Sequence, residues 1–511
     1  MCSCRRPGWW STLRIESPLR AMVRRMGMAA SPLEQALDCL RSGQPARAEA
    51  LCRARILEGR GEGDFAGHHL LGLALLHQGR AGEAEPELAR AVALQPGNPA
   101  ALNSLGMALA ELNRAREAHA ALSRAAALAP GSAWIRNNLG SVLHDLGQGQ
   151  DAVRALDEAL RLQPDYPEAH ANRGMALQEL SRFDEARAAF DAAIALRPGY
   201  PEALKRRAML RLLLDDAGGW DDYEAAMHGF RTERGNGDAA VPWWRGEPLR
   251  GRKLLLHEGS GFGDTLQFFR FVPALLARGA RVCFCGPPSL FALLRSSGWN
   301  VSFIAPGTPS GCDFQCDLWG LPARLGLPAR AAAAPVPYLA ADAAAIARWK
   351  AWLGAGSFAI GVAWQGNPAR KIDLGRSIPL SAFAPLAAVP GVQLVSLQCN
   401  AGREQLQQLP PGVRIRDPGP GFDAGLDAFA DTAALMMALD LVVSSDTAVA
   451  HLAGALGRPA WVALKHVPDW RWGLDRETTP WYPAMRLFRQ PRPGDWSSVF
   501  AAMASRLATG Q

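Results

Sequence analysis

Three short segments in the second half of the chain hold residue types that could handle a charged substrate. The first is Glu258-Gly-Ser-Gly-Phe-Gly-Asp264, whose glycines at 259, 261 and 263 permit a tight turn with exposed backbone N–H groups. Asp264 falls at or near the start of an apolar-periodic helix, where a carboxylate is stabilised as a cap. A carboxylate there would repel a phosphate, so the chemistry it could do is to face an acceptor hydroxyl, with Gly261, Gly263 and Gln267 forming the acceptor-side loop. The second segment, Leu441-Val-Val-Ser-Ser-Asp446-Thr-Ala-Val-Ala-His451, reads as strand, turn and helix start. Asp446 is expected to cap that helix while Thr447 and Ala448 offer free N–H groups to a diphosphate. His451 lies about one turn beyond Thr447 on the same face, where an imidazole could bond a phosphate oxygen, although a lone helix histidine is more often structural. The third is Trp364-Gln-Gly-Asn-Pro-Ala-Arg-Lys-Ile-Asp-Leu-Gly-Arg-Ser377, in which Arg370, Lys371 and Arg376 could neutralise diphosphate charge or simply form a solvated basic loop.

The elements that must hold these segments alternate. Strand-like runs at 253–257, 281–285, 358–364, 392–397, 439–444 and 460–464 are separated by helical ones, which implies parallel sheets with covered faces. Composition shifts at Pro242-Trp243-Trp244, and twelve of the sixteen tryptophans lie from residue 243 onward, so the two halves have different architectures. The proline- and alanine-rich stretch 328–345 reads as the crossing between two sheets.

The first half repeats itself. Pro96, Pro130, Pro164 and Pro198 are 34 residues apart, and so are Gly72, Gly106, Gly140 and Gly174; Ala84, Ala118, Ala152 and Ala186; and Ala91, Ala125, Ala159 and Ala193. Glycine and alanine let helices approach closely, and proline ends the second helix of each unit. This register resembles the tetratricopeptide repeat, a helix–turn–helix unit of that length, and implies a concave surface for a protein partner or peptide. Asn103, Asn137, Asn138 and Asn172 are candidates for bonding an extended peptide backbone there, or for solvated helix surface.

Charge excludes one class of partner. Of the net +7, residues 1–25 supply +5 and the rest of the chain about +2, with no basic stripe to follow phosphates, so nucleic acid is not expected. Residues 1–30 read as a disordered leader without a secretory apolar core. No window reaches 18 uninterrupted apolar residues, so no membrane span is expected. Nine scattered cysteines, with Cys312-x-x-x-Cys316 lacking a second pair or nearby histidine, point away from a metal site and toward reduced thiols in a cytoplasmic protein.

Taken in order, the segments Glu258–Asp264, Trp364-Gln-Gly-Asn-Pro368, Arg376-Ser-Ile-Pro379, Ser396-Leu-Gln398, Asp431-Thr-Ala433, Asp446-Thr-Ala448 with His451-Leu-Ala-Gly454, and Asp469-Trp-Arg-Trp472 resemble a family. It is that of bacterial tetratricopeptide proteins whose C-terminal domain is related to the heptosyltransferases (glycosyltransferase family 9-like). The resemblance spans about 250–500. It implies a GT-B fold of two Rossmann-like parallel sheets, and inverting transfer of a sugar from a nucleotide-diphosphate donor, the nucleotide-sugar being substrate and no cofactor required. By the same resemblance Asp264 is the base; Asp446, Thr447, Ala448 and His451 form the donor-phosphate turn; and Lys371 or Arg376 is its cationic partner. Two departures stand out. Pro273 comes nine residues after Asp264, later than the family places it, and the 250–340 sheet has room for only three or four strands. The expected class is therefore an α-solenoid over 31–235 followed by α/β halves over 243–340 and 341–511. The acceptor could be a glycan or a protein side chain. A non-catalytic interaction scaffold with a degenerate transferase-like domain is the alternative.

Overall fold

The computed structural model describes residues 32–57, 64–234, 241–259, 261–327, 335–367, 375–399 and 401–509. The expected leader over 1–30 and the expected boundary residue 235 lie outside them. The chain divides into two compact units, Met1–Arg206 and Arg207–Gln511.

The first unit is a helical solenoid. Helix pairs Phe65–His77 with Ala81–Leu94, Pro99–Glu111 with Ala115–Leu128, Ala133–Asp145 with Gly149–Leu162, and Pro167–Glu179 with Phe183–Leu196 repeat at the 34-residue step, preceded by the shorter pair Pro32–Arg41 and Pro45–Arg55. Within each pair the first helix closes with a left-handed residue at Gly79, Asn113, Gly147 or Ser181. The next amide bonds five carbonyls back, as in Arg114 N–H to the Leu109 carbonyl at 2.9 Å, which satisfies a carbonyl the helix end would orphan. The repeated glycine is required by contact. A Cβ on Gly106 would stand 2.7 Å from Leu122 Cγ, one on Gly140 2.5 Å from Leu156 Cγ, and one on Gly174 2.6 Å from the Phe190 ring.

The second unit begins inside the helix Pro201–Leu213, earlier than the repeat pattern places the solenoid's end at 235. The reason is what the following helix Gly219–Arg234 touches. Glu224 pairs with the Arg324 guanidinium at 2.6 Å, Tyr223 stacks on Trp319 at 5.1 Å, and Trp220 meets Trp470 edge-on at 5.2 Å. That helix is packed as part of the α/β unit.

Two sheets follow. Strands β1 (Lys253–His257), β2 (Arg281–Cys285), β3 (Val301–Ile304) and β4 (Phe314–Asp317) form a parallel sheet in the order β3-β2-β1-β4. Strands β5 (Phe358–Ala363), β6 (Val392–Ser396), β7 (Ile415–Arg416), β8 (Leu441–Ser445), β9 (Ala460–Leu464), β10 (Thr478–Thr479) and β11 (Tyr482–Arg489) form the second, in the order β10-β11-β9-β8-β5-β6-β7. Its pairings are parallel except β10 with β11. Strand order reverses between β1 and β4 in one sheet and between β5 and β8 in the other. Crevices open outside strand carboxyl ends at such reversals, and the Glu258–Asp264 and Asp446–Ala448 turns sit at these two points. Among the described residues no helix is long and apolar enough to cross a membrane.

Gly174→Val forces two methyls toward a fully buried phenylalanine and is expected to cost about 2–3 kcal/mol, lowering the thermal midpoint of the solenoid. Gly131→Ala, whose Cβ meets nothing within 4 Å, leaves that midpoint unchanged in the same calorimetric scan.

Candidate active site

The two turns meet. The helix Phe262–Phe269 starts at Gly261 after β1, and the helix Ala448–Ala455 starts at Thr447 after β8; neither has a side-chain cap. A Cβ on Gly263 would stand 3.0 Å from His451 Cδ2 and 3.4 Å from Ala448 Cα. One on Gly259 would fall 2.6 Å from Asp264 Cβ. Gly259 and Gly263 have no positive φ, so close approach rather than a left-handed backbone is what requires them. Asp446 does not cap its helix as expected. It sits one residue before the N-cap Thr447, buried, with its carboxylate 3.8 Å from Arg376.

Arg471 holds the junction together. Its buried guanidinium donates Nη2–H to Asp264 from the first sheet, Nη1–H to Asp469 from the second at 2.8 Å, and Nε–H to Gln267 Oε1. The rings of Trp319 and Trp470 lie 4.7 and 5.0 Å from it. Asp469 and Arg471 stand in the Asp469-Trp-Arg-Trp472 segment, to which sequence reasoning assigned no role; nothing in its spacing says that a guanidinium there reaches residue 264. Asp264 is thus ion-paired, and Gln267 is fully buried with its Nε2 unpartnered among the described residues. Asp264, Gly261, Gly263, Gln267, Arg376, Asp446, Thr447, Ala448 and His451 all belong to the two facing turns or the segment beside them, whereas Lys371 and Arg370 lie outside the described residues.

His451 is buried, 3.0 Å through Nδ1 from the Tyr482 hydroxyl and stacked on Trp472 at 5.4 Å. Burial, reinforced by Arg471, Arg270 and Arg376, holds its pKa well below the usual histidine value, so it is a neutral ring and not a cation for a phosphate. Burial acts oppositely on Asp446, raising its carboxyl above the usual range while Arg376 pulls it back. Just beyond β5, Gln398 accepts from the amides of Trp364 and Gln365 at 3.1 Å each and donates to the Gln365 and Ala401 carbonyls. That side chain locks the ends of β5 and β6 together. Among the described residues no group of three histidine, cysteine or acidic side chains could hold a metal ion.

In the solenoid the candidate asparagines bond one another. Asn138 donates to Asn103 at 2.9 Å, Asn137 to Asn138 at 3.2 Å and Asn172 to Asn137 at 2.8 Å, and the first three are buried. They form a ladder that ties successive repeats, not the free row for a peptide backbone that the sequence pattern offers.

Comparison with known proteins matches these units unequally. Residues 33–99 and 137–201 match one tetratricopeptide repeat family model, and residues 75–137 another, so the first unit is built of tetratricopeptide repeats. The chain is 30% identical over 332 residues to Protein FlbA of Caulobacter vibrioides, a match taking in 59% of this chain and 54% of that protein. The chain therefore spans about half the length of the curated relative it matches. Among solved structures, PilF of Pseudomonas aeruginosa is 20% identical with a TM-score of 0.34, over 43% of this chain and 95% of its own. A thermophilic tetratricopeptide protein of Thermus thermophilus is 23% identical with a TM-score of 0.32, over 35% of this chain and 97% of its own.

Arg471→Met leaves the part-buried Asp264 and Asp469 without the cation they share and is expected to destabilise the α/β unit by about 3–5 kcal/mol, read from urea unfolding. His451 gives a pH signature. Folded, its ring stays neutral well below pH 6.5; unfolded, it charges there, so the unfolded chain binds the extra proton and stability falls as pH drops below 6.5. In His451→Asn that acid-side slope shrinks by up to about 1.4 kcal/mol per pH unit between pH 6.5 and 5, measured by the same unfolding.

Proposed function

We propose that the α/β unit binds a nucleotide-diphosphate sugar and transfers the sugar, on a GT-B-type pair of sheets, to a glycan or protein hydroxyl. The observation that carries this reading is the meeting of two uncapped helix starts, each after a strand at a topological reversal, with Gly263 against Ala448 and His451 and with Arg376 beside them. A leaving diphosphate is stabilised by amide N–H groups at a helix start and by a guanidinium. In the transfer step the acceptor oxygen bonds to the sugar's anomeric carbon, the carbon–oxygen bond to the diphosphate breaks, and the acceptor proton passes to Asp264. His451, held neutral against Tyr482, contributes a hydrogen bond and no charge. The solenoid brings a protein partner, or the acceptor itself, to the enzyme, as repeat surfaces of this kind bind proteins. The free thiols among the described residues fit a cytoplasmic location.

A second reading rests on Asp264 itself. Its carboxylate is already engaged by the buried Arg471 guanidinium, which favours a unit that binds the nucleotide-sugar as a sensor and does not transfer it.

The test is a screen of ADP-, GDP-, UDP- and CMP-sugars by thermal shift with the full chain. A donor at a hundred times its dissociation constant adds about 2.7 kcal/mol to the unit's stability. Arg376→Gln is expected to weaken that shift. Asp264→Asn keeps it but lowers transfer by roughly 10²–10⁴-fold. Binding with no transfer to any acceptor selects the sensor; no shift with any donor ends both readings.

A further inference from the structure

A cavity of about 330 Å³ opens where β10 and β11 meet the terminal helix Trp496–Ala508, lined by Asp475, Arg476, Glu477, Arg486, Arg489 and Arg506. Its guanidiniums come from three separated stretches of chain: Arg476 precedes β10, Arg486 and Arg489 belong to β11, and Arg506 to the helix. Like charges gather only where something offsets their repulsion, and here the offset within the cavity is incomplete. Arg476 pairs with Asp215, outside the lining, at 2.9 Å. Asp475 and Glu477 then face three guanidiniums, and Glu477 is 80% exposed and no nearer to Arg506 than 3.9 Å. Arg489 donates Nη2–H to the Gly473 carbonyl at 2.8 Å, while the Nε atoms of Arg489 and Arg506 are buried without a hydrogen-bond partner among the described residues. A buried donor left unmade is costly, and a charged one more so. Burial also holds Arg489 below the usual arginine range, with Asp475 acting against it.

We propose that this cavity is a binding site for a phosphate-bearing small molecule, its phosphoryl oxygens taken by Arg486, Arg489 and Arg506. The planar guanidinium presents its N–H groups in a fork that matches phosphate oxygens. The volume exceeds what a bare phosphate fills and lies in the range of small-molecule pockets, which leaves room for an organic portion. The site is built from different residues than the Asp264–Asp446 junction and stands whether or not that junction transfers sugar.

The experiment is calorimetric titration of inorganic phosphate into the full chain at low ionic strength, with circular dichroism to confirm that each variant is folded. The wild-type chain is expected to bind saturably. Arg486→Gln with Arg506→Gln weakens binding tenfold or more, Glu477→Gln tightens it by removing a competing carboxylate, and Arg376→Gln leaves it unchanged. A merely structural role for these arginines gives no tightening in Glu477→Gln. Absence of saturable binding to the wild type overturns the proposal. So does binding that survives the double substitution, or that is lost in Arg376→Gln, which moves the anion to the junction.

Discussion

One buried guanidinium determines how the two sheets of the α/β unit stand against each other. Arg471 belongs to the second sheet's half, yet two of its hydrogen bonds, to Asp264 and Gln267, reach the first. Removing a cation of that kind from water costs several kcal/mol, and the cost is met only because Asp469 and Asp264 both face it and indole rings close over it. The arrangement fixes the distance between the Glu258–Asp264 turn and the Asp446–Ala448 turn, and everything said of the site depends on that distance. It also fixes where the Asp264 carboxylate stands, since one of its oxygens accepts from that guanidinium.

The closeness of the two helix starts follows from that pin and from two side chains that are missing. Gly263 lets the backbone of one turn rest on Ala448 and His451, and Gly454 leaves room for the Tyr482 ring, since a Cβ there would stand 2.3 Å from it. Tyr482 in turn holds His451 through Nδ1. The Arg270 guanidinium lies 4.8 Å from the Tyr482 ring and donates to the Trp481 carbonyl at 2.7 Å, so a second arginine, from the first sheet, grips the second in the opposite direction. Two reciprocal arginine contacts constrain rotation between the halves more than either alone.

Local signals were legible in proportion to how local their causes are. The repeat shows in the sequence because each Gly, Ala and Pro answers a contact or a break made within one unit of 34 residues. Strands such as β1, β2 and β9 show because their burial writes an unbroken apolar run. By contrast β4, Phe-Gln-Cys-Asp, carries Gln315, buried where it bonds the Val241 carbonyl and His257, and no apolar run announces such a strand. β11 alternates poorly for the same reason: Arg486 and Arg489 serve the cavity edge. The partner of Asp264 was not legible because it lies 207 residues away. The asparagines read as surface because polar type signals exposure, and only the stacked repeats show that they bond one another.

The remaining difficulty for the proposed site is an acid at the turn assigned to phosphate. Asp446 stands one residue before an uncapped helix start, where an ionised carboxylate would oppose an incoming diphosphate. Burial moves it the other way, raising its pKa, and the Arg376 guanidinium stands 3.8 Å off, too far for a tight pair. An approaching anion raises that pKa further, since it disfavours the charged form. In the proposed donor complex the turn would present amides and a guanidinium together, and the burial that lowers His451 also favours the uncharged form of Asp446.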